Sequence, residues 1–373
     1  MDFSYSEEQQ AIFDLAARIL KEGSPADRLL ALERADGPRF DRDLWAKLGE
    51  AGLLAIGVPE AYDGGGLGFL ELAGVIEHVG RTTAAVPYLE TTVLGGLPIA
   101  EFGSEAQKKA ILPELAAGAR VVTAALVEPE AEVEAPTATA VGDAGGWRLD
   151  GVKSFVPAAA IADQILVSAM TDRGPAVFLV DREAAGVSLE PLSTTSRTPE
   201  SRLTLAGVKL GTEALLGRLG QGREIIEWID LRANAALCSL MLGCCEAALE
   251  QTAEYSKTRK QFDQPIAMFQ SVAHRQADAY IDTQTVRLSA LEVAWRIAVG
   301  RDARAEVAIA KHLASEAGFH VTRAAQHIHG GIGVDREYQV HRYYVYARQI
   351  ELMLGGSSHH LRRLGQLIAD DAA

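Results

Sequence analysis

The stretch Phe269–Val299, FQSVAHRQADAYIDTQTVRLSALEVAWRIAV, places Ile281, Leu288, Leu291 and Ile297 where a helix would align them. Such returns put one apolar stripe on one face of a long helix. Three further segments follow the same period: Glu224–Thr258, Ala303–His327 and Arg336–Ile368. Four long amphipathic helices in succession predict an antiparallel bundle over residues 218–373. Upstream the period shortens. Val121–Leu126, Trp147–Val156, Gln164–Ala169, Ala176–Val180, Val187–Leu192 and Arg202–Leu210 are short, β-branched or alternating runs. Gly, Pro, Asp and Ser separate them, so residues 121–217 predict a small antiparallel β-domain. Residues 1–120 read as helices again. Ser6 and Gln9 form a capping-box pattern ahead of Ile12, Leu15, Ala16, Ile19 and Leu20, and Phe40–Gly52 and Gly68–Gly80 give two more helices. The expected class is α+β, mainly α: an N-terminal helical domain, a middle antiparallel β-domain and a C-terminal four-helix bundle.

The balance of 36 basic against 50 acidic side chains gives a net charge of −14. That sign argues against nucleic acid or an anionic membrane as the main partner. No apolar run reaches the roughly 18 residues of a membrane span, and the first residues lack a basic and then apolar leader. Cys238, Cys244 and Cys245 lie in an apolar helical stretch and read as buried thiols rather than a disulfide framework. Together these predict a cytoplasmic protein.

Two C-terminal motifs carry chemistry. The first is Tyr255-Ser256-Lys257-Thr258-Arg259-Lys260-Gln261-Phe262, followed by Asp263-Gln264-Pro265-Ile266 and Phe269-Gln270. An arginine at such a helix end offers a fixed cationic fork for phosphate oxygens. The second is His327-Ile328-His329-Gly330-Gly331-Ile332-Gly333, whose adjacent glycines permit a close approach by another backbone or a diphosphate. The His327-x-His329 pair invites a metal reading. Residues two apart on a helix point in different directions, however, and no carboxylate or Cys partner sits at ligand spacing, so no metal is expected. A third glycine-rich run, Pro59–Gly68, looks like a phosphate loop, but no strand leads into it.

In order and spacing these segments resemble the acyl-CoA dehydrogenase family along the whole chain. The first motif resembles Y-x-x-x-R-x-x-F-G-x-x-I…Q, and the second Q-x-x-GG-x-G. The run at Pro59 resembles the family's PE-x-Y-GG-x-G loop near the acyl chain. The resemblance implies FAD as cofactor, with Arg259 on its pyrophosphate and Phe262, Gln270, His327, Gly330 and Gly331 as further contacts. Asp263 stands in place of the family's glycine, and His327 in place of its glutamine.

The chain also departs from the family. Glu128-Pro129 retains only part of T-E-P-x-x-G-S-D, and Glu130, Glu132 and Glu134 then read as a solvated acidic loop. In Asp150–Ala158, Phe155 and Pro157 replace the Trp and Thr of N-G-x-K-x-W-I-T-N. Proline has no N–H or hydroxyl to offer a flavin. The final segment, QIELMLGGSSHHLRR over Gln349–Arg363, resembles IYEGTSQIQR, whose Glu removes the substrate α-proton. Gly356, Ser357 and Ser358 match Gly-Thr-Ser, which puts Gly355 at the position of the base. The position used by other members, on the first bundle helix, holds Ala233. No catalytic residue is therefore expected at either position; Glu351, about one turn before Gly355, is the weak alternative.

The resemblance implies a division of labour. The segments retained are those a family subunit lends to its neighbour's FAD; the segments lost are those it uses for its own. The end of the chain looks like the base-lacking subunit of α2β2 steroid side-chain acyl-CoA dehydrogenases of actinobacteria. The implied partners are a homologous catalytic subunit, an acyl-CoA substrate and electron-transfer flavoprotein or a similar acceptor. A self-sufficient homotetramer with a displaced base and a non-enzymatic structural homologue remain as alternatives.

Overall fold

In the computed structural model, residues 4–371 except 144 are described. The helices before the sheet are α1 (Glu7–Gly23), α2 (Ala26–Arg34), α3 (Arg42–Glu50), α4 (Phe69–Thr82), α5 (Leu97–Phe102) and α6 (Glu105–Ala116). The strands are β1 (Val122–Ala125), β2 (Thr139–Asp143), β3 (Gly146–Pro157), β4 (Gln164–Thr171), β5 (Gly174–Asp181), β6 (Val187–Pro191), β7 (Glu200–Leu210) and β8 (Leu215–Leu216). Then follow α7 (Gly222–Thr258), a ribbon of β9 (Lys260–Gln261) and β10 (Gln264–Pro265), α8 (Gln270–Ala298), α9 (Arg304–His329), α10 (Val340–Leu352) and α11 (Ser357–Asp371). The α+β, mainly α class is the observed one.

The chain divides into two compact units, neither contiguous in sequence. One comprises Met1–Arg34, Phe69–Ala84 and Asn234–Ala373; the other comprises Ala35–Gly68 and Ala85–Ala233.

The first unit is helical. Ser6 and Gln9 form the expected capping box, with Gln9 N–H donating to Ser6 Oγ at 3.2 Å and Ser6 N–H to Gln9 Oε1 at 2.9 Å. Phe13, Ala16 and Leu20 of α1 face inward with Leu72, Val75 and Ile76 of α4. Full burial of each larger side chain contributes about 1.5–3 kcal/mol. Helices α4 and α7 approach through glycines. A Cβ at Gly243 would lie 1.8 Å from the Glu77 carbonyl oxygen, and one at Gly80 would lie 2.1 Å from that of Leu240. The three cysteine thiols are buried here, and burial pushes the Cys238 thiol up to about 12. By length and mean hydropathy α7 could cross a membrane, contrary to the sequence expectation. Yet 83% of its most apolar window is buried inside the fold, as a core helix requires.

The predicted fourth bundle helix, Arg336–Ile368, is two helices instead. Leu354 and Gly355 adopt φ of 52° and 97°, and α10 ends before them. A left-handed pair cannot continue a right-handed helix.

The second unit holds the sheet, ordered β6-β7-β3-β2-β4-β5-β8, with β1 beside β4. It is antiparallel except for β1–β4 and the single β2–β4 pair, which run parallel. The parallel pairs and β2 itself were not expected. Only Ala140 of β2 is buried, so the strand lacks the alternation that marks one in sequence. A π-helical turn, Glu90–Gly96, leads into α5.

Candidate functional site

Of the retained motif residues, Arg259, Phe262 and Gln270 lie where α7 ends, the ribbon turns and α8 begins. Arg259 follows α7 directly, its N–H donating to the Tyr255 carbonyl at 2.8 Å. The ribbon pairs Gln261 with Gln264, leaving Phe262 and Asp263 as a two-residue turn. Their φ values, 52° and 63°, are those of the primed hairpin turn that normally recruits glycine. Asp tolerates this region better than most residues, which accounts for Asp263 at a glycine position.

His327, Gly330 and Gly331 lie at the end of α9, in the same helical unit. The two motifs meet through Tyr255 and His329, whose rings stack at 4.2 Å and 24°. His329 Nδ1 donates to the Ala325 carbonyl at 2.8 Å, and burial holds the ring's pKa below its ordinary value. His327 is exposed while His329 is buried, so the pair does point in different directions. Among the described residues no group of three or more His, Cys, Asp or Glu is placed to hold a metal.

All six of these residues present themselves to solvent. Arg259, Gln270, His327, Gly330 and Gly331 are exposed, and the Phe262 side chain is 87% exposed. Gly330 needs glycine for its own backbone, at φ 65° and ψ −140°. A Cβ on Gly331 would meet nothing within 4 Å among the described residues. None of them requires the second glycine, so the room it leaves suits a group from outside. A cationic fork, an uncovered aromatic ring, an amide and an open glycine turn fit a dinucleotide with a pyrophosphate and flat rings.

The base position is different in kind. Gly355 lies in the α10–α11 loop, and its carbonyl accepts from the Lys311 ammonium at 3.0 Å. The same ammonium donates to the carbonyls of Ile350, Glu351 and Met353 at 3.0–3.1 Å. Lys311 is 1% exposed and was not singled out from sequence. It occupies the C-terminal end of α10, where carbonyls lack intrahelical donors and the helix dipole favours a cation. Buried His360 donates from Nε2 to the Leu354 carbonyl at 3.1 Å, and His312 Nδ1 lies 3.0 Å from Ser357 Oγ. Glu351 is ion-paired with Arg348, and burial raises its pKa despite that pairing. Ala233 is fully buried in α7.

In the sheet unit, Pro157 ends β3 opposite Glu200, and its carbonyl accepts from Thr123 Oγ1 at 2.8 Å. Phe155 sits at a register shift with φ 51° and is 59% exposed. Glu128 has an internal role that its sequence motif did not reveal. Its carboxylate accepts from Lys153 Nζ and the Thr137 N–H, both at 2.6 Å, from the Ala138 N–H, and from the Thr137 hydroxyl. Lys153 is 0% exposed and also donates to Ser168 Oγ at 2.8 Å. This cluster fastens the far end of the acidic loop, on which Glu130 and Glu132 are exposed as expected while Glu134 is half-buried. The Pro59–Gly68 run is no phosphate cradle. The N–H groups of Gly64, Gly65, Gly66 and Leu67 donate to the carbonyls of Pro59, Ala55, Val58 and Ile56.

Fold and motifs define one class. The chain belongs to the acyl-CoA dehydrogenase family, flavoprotein oxidoreductases that act on acyl-CoA thioesters with FAD. Its N-terminal domain profile matches residues 6–119, its middle domain 124–208 and its C-terminal domain 220–368. Among particular proteins, the chain is similar to acyl-CoA dehydrogenase FadE27 of Mycobacterium tuberculosis, 37% identical with both chains fully covered. It is also similar to a chain of the ChsE4-ChsE5 complex from Mycobacterium tuberculosis, with TM-score 0.94, 38% identity and 99% of each chain covered. A third likeness is to a variant of the Tcur3481-Tcur3483 steroid ACAD, with TM-score 0.92, 40% identity and 98% and 99% covered.

Proposed function

We propose that the chain is the base-lacking subunit of an α2β2 acyl-CoA dehydrogenase, completing an FAD site that its partner uses for chemistry. One observation carries the reading. Five family cofactor residues are retained and, with His327 at the glutamine position, face outward, while the base position holds a left-handed glycine whose carbonyl is tied to Lys311. A subunit that worked alone would need the second feature reversed.

FAD, when bound, accepts the electrons of α,β-dehydrogenation. Arg259 would hold its pyrophosphate, Phe262 and Gln270 would be further contacts, and His327 with Gly330 and Gly331 would leave room for it beside the end of α9. The partner subunit brings the glutamate that takes the α-proton. The substrate class is a steroid side-chain CoA thioester, supported by the likeness to a steroid acyl-CoA dehydrogenase, with electron-transfer flavoprotein or a similar acceptor downstream. Three buried free thiols agree with a cytoplasmic location.

The self-sufficient reading would make Glu351 the base. Its carboxylate is already engaged by Arg348, which weighs against that role. The deciding experiment is a flavin spectrum of this chain purified alone and after co-expression with a homologous subunit. Flavin and steroid-CoA dehydrogenation only in the co-expressed complex support the proposal. Stoichiometric FAD and activity in the chain alone would overturn it.

A further inference from the structure

Gly355 is not an empty position. A Cβ built there would lie 2.5 Å from His359 Cδ2, 2.8 Å from its Cγ and 3.2 Å from its Cβ. The imidazole therefore occupies the space into which any side chain at 355 would project. The ring is carried on a fixed backbone and has neighbours of its own. His359 belongs to the first turn of α11, with its N–H donating to the Gly356 carbonyl at 3.0 Å. It packs edge-on against buried His360, centroids 5.1 Å apart, and Arg362 Nη2 lies 3.5 Å from its Nδ1. The backbone at Gly355 is equally constrained. Lys311 holds the carbonyls of Met353 and Gly355, and His360 holds that of Leu354 between them.

We infer that His359 is a plug: it fills the place of the missing carboxylate, so this half-site is closed to a base rather than merely lacking one. In the family motif, position 359 is a glutamine, which lacks the ring atom nearest position 355 and has one more rotatable bond with which to turn its far end away. Restoring a side chain at 355 thus requires two changes, and neither alone suffices. The functional meaning of the plug rests on the heteromer reading above, but the steric conflict does not.

A double-mutant cycle on the full-length chain tests this without partner or flavin. Thermal unfolding is compared for the natural protein, Gly355→Ala, His359→Gln and the double variant. Gly355→Ala lowers the midpoint by roughly 3–8 °C, the sum of left-handed strain and ring overlap. His359→Gln alone shifts it by about 2 °C or less. The double variant recovers about half of the Gly355→Ala loss, because the glutamine yields and only backbone strain remains. Additive effects of the two substitutions, or an unshifted Gly355→Ala midpoint, would overturn the plug. Failure of the flavin experiment would leave this cycle unaffected, so the two ideas fall separately.

Discussion

The ammonium of Lys311 donates to the carbonyl of Gly355 across 3.0 Å, joining the middle of α9 to the loop between α10 and α11. Its three N–H groups are shared among four carbonyls at and just beyond the end of α10. Lys311→Met keeps the stem and removes every donor. It should cost about 2–5 kcal/mol in chemical denaturation, because several buried carbonyls lose their partner at once. A loss below about 1 kcal/mol would mean that water replaces the ammonium without penalty.

Acid should act through Glu128. Burial raises its pKa, but the hydrogen bonds from Lys153 and Thr137 outweigh burial and hold it below its ordinary 4.5. A carboxylate depressed in the folded state adds stability that is complete above its unfolded value. That contribution is lost as pH falls through the folded value. Stability should therefore decline below about pH 4.5, and Glu128→Gln should flatten that decline while costing about 3–5 kcal/mol at pH 7 by stranding Lys153. A variant whose acid limb keeps the natural slope would contradict this.

Arg259→Ala separates binding from folding. The side chain is exposed, so the unfolding free energy of the isolated chain should stay within about 0.5 kcal/mol. In the co-expressed complex the same change should weaken flavin retention by about tenfold or more, since it removes a charge-assisted phosphate contact. Unchanged flavin content after dialysis would remove Arg259 from the cofactor site.

Glu351→Gln distinguishes the two enzymatic readings. With the base in the partner, dehydrogenation by the assembled enzyme should change by about twofold or less. A general base supplies about 10²–10⁴-fold, so a drop of that size would relocate the base to this chain.

Much of this was legible in sequence because period and motif spacing are local properties. The capping box at Ser6 and the motif at Arg259 needed no tertiary information. The helix α8 was legible but its stripe was not: Ile281 and Leu288 are exposed, and the buried face instead carries Ala279, Val286, Ala290, Val293 and Ile297. The break at Leu354-Gly355 was missed because α10 and α11 both carry helical period, and only the carbonyl bonds to Lys311 and His360 show where the chain turns. The roles of Lys153 and Lys311 were hidden for a related reason. A lysine reads as surface unless its partners are known, and those partners lie 25 residues away at Glu128 and about 40 away in the α10–α11 loop. Strand β2 escaped because it is largely exposed and is defined by its pairing with β3 and β4 rather than by an alternating pattern.

The ribbon turn keeps the Phe262 ring 87% in solvent on a backbone held at positive φ. That arrangement gives the single chain little in return: the ring's apolar surface stays wet and the turn is strained. If the proposed heteromer holds, the ring is surface kept ready for another molecule, and its cost to the single chain is the measure of what assembly would recover.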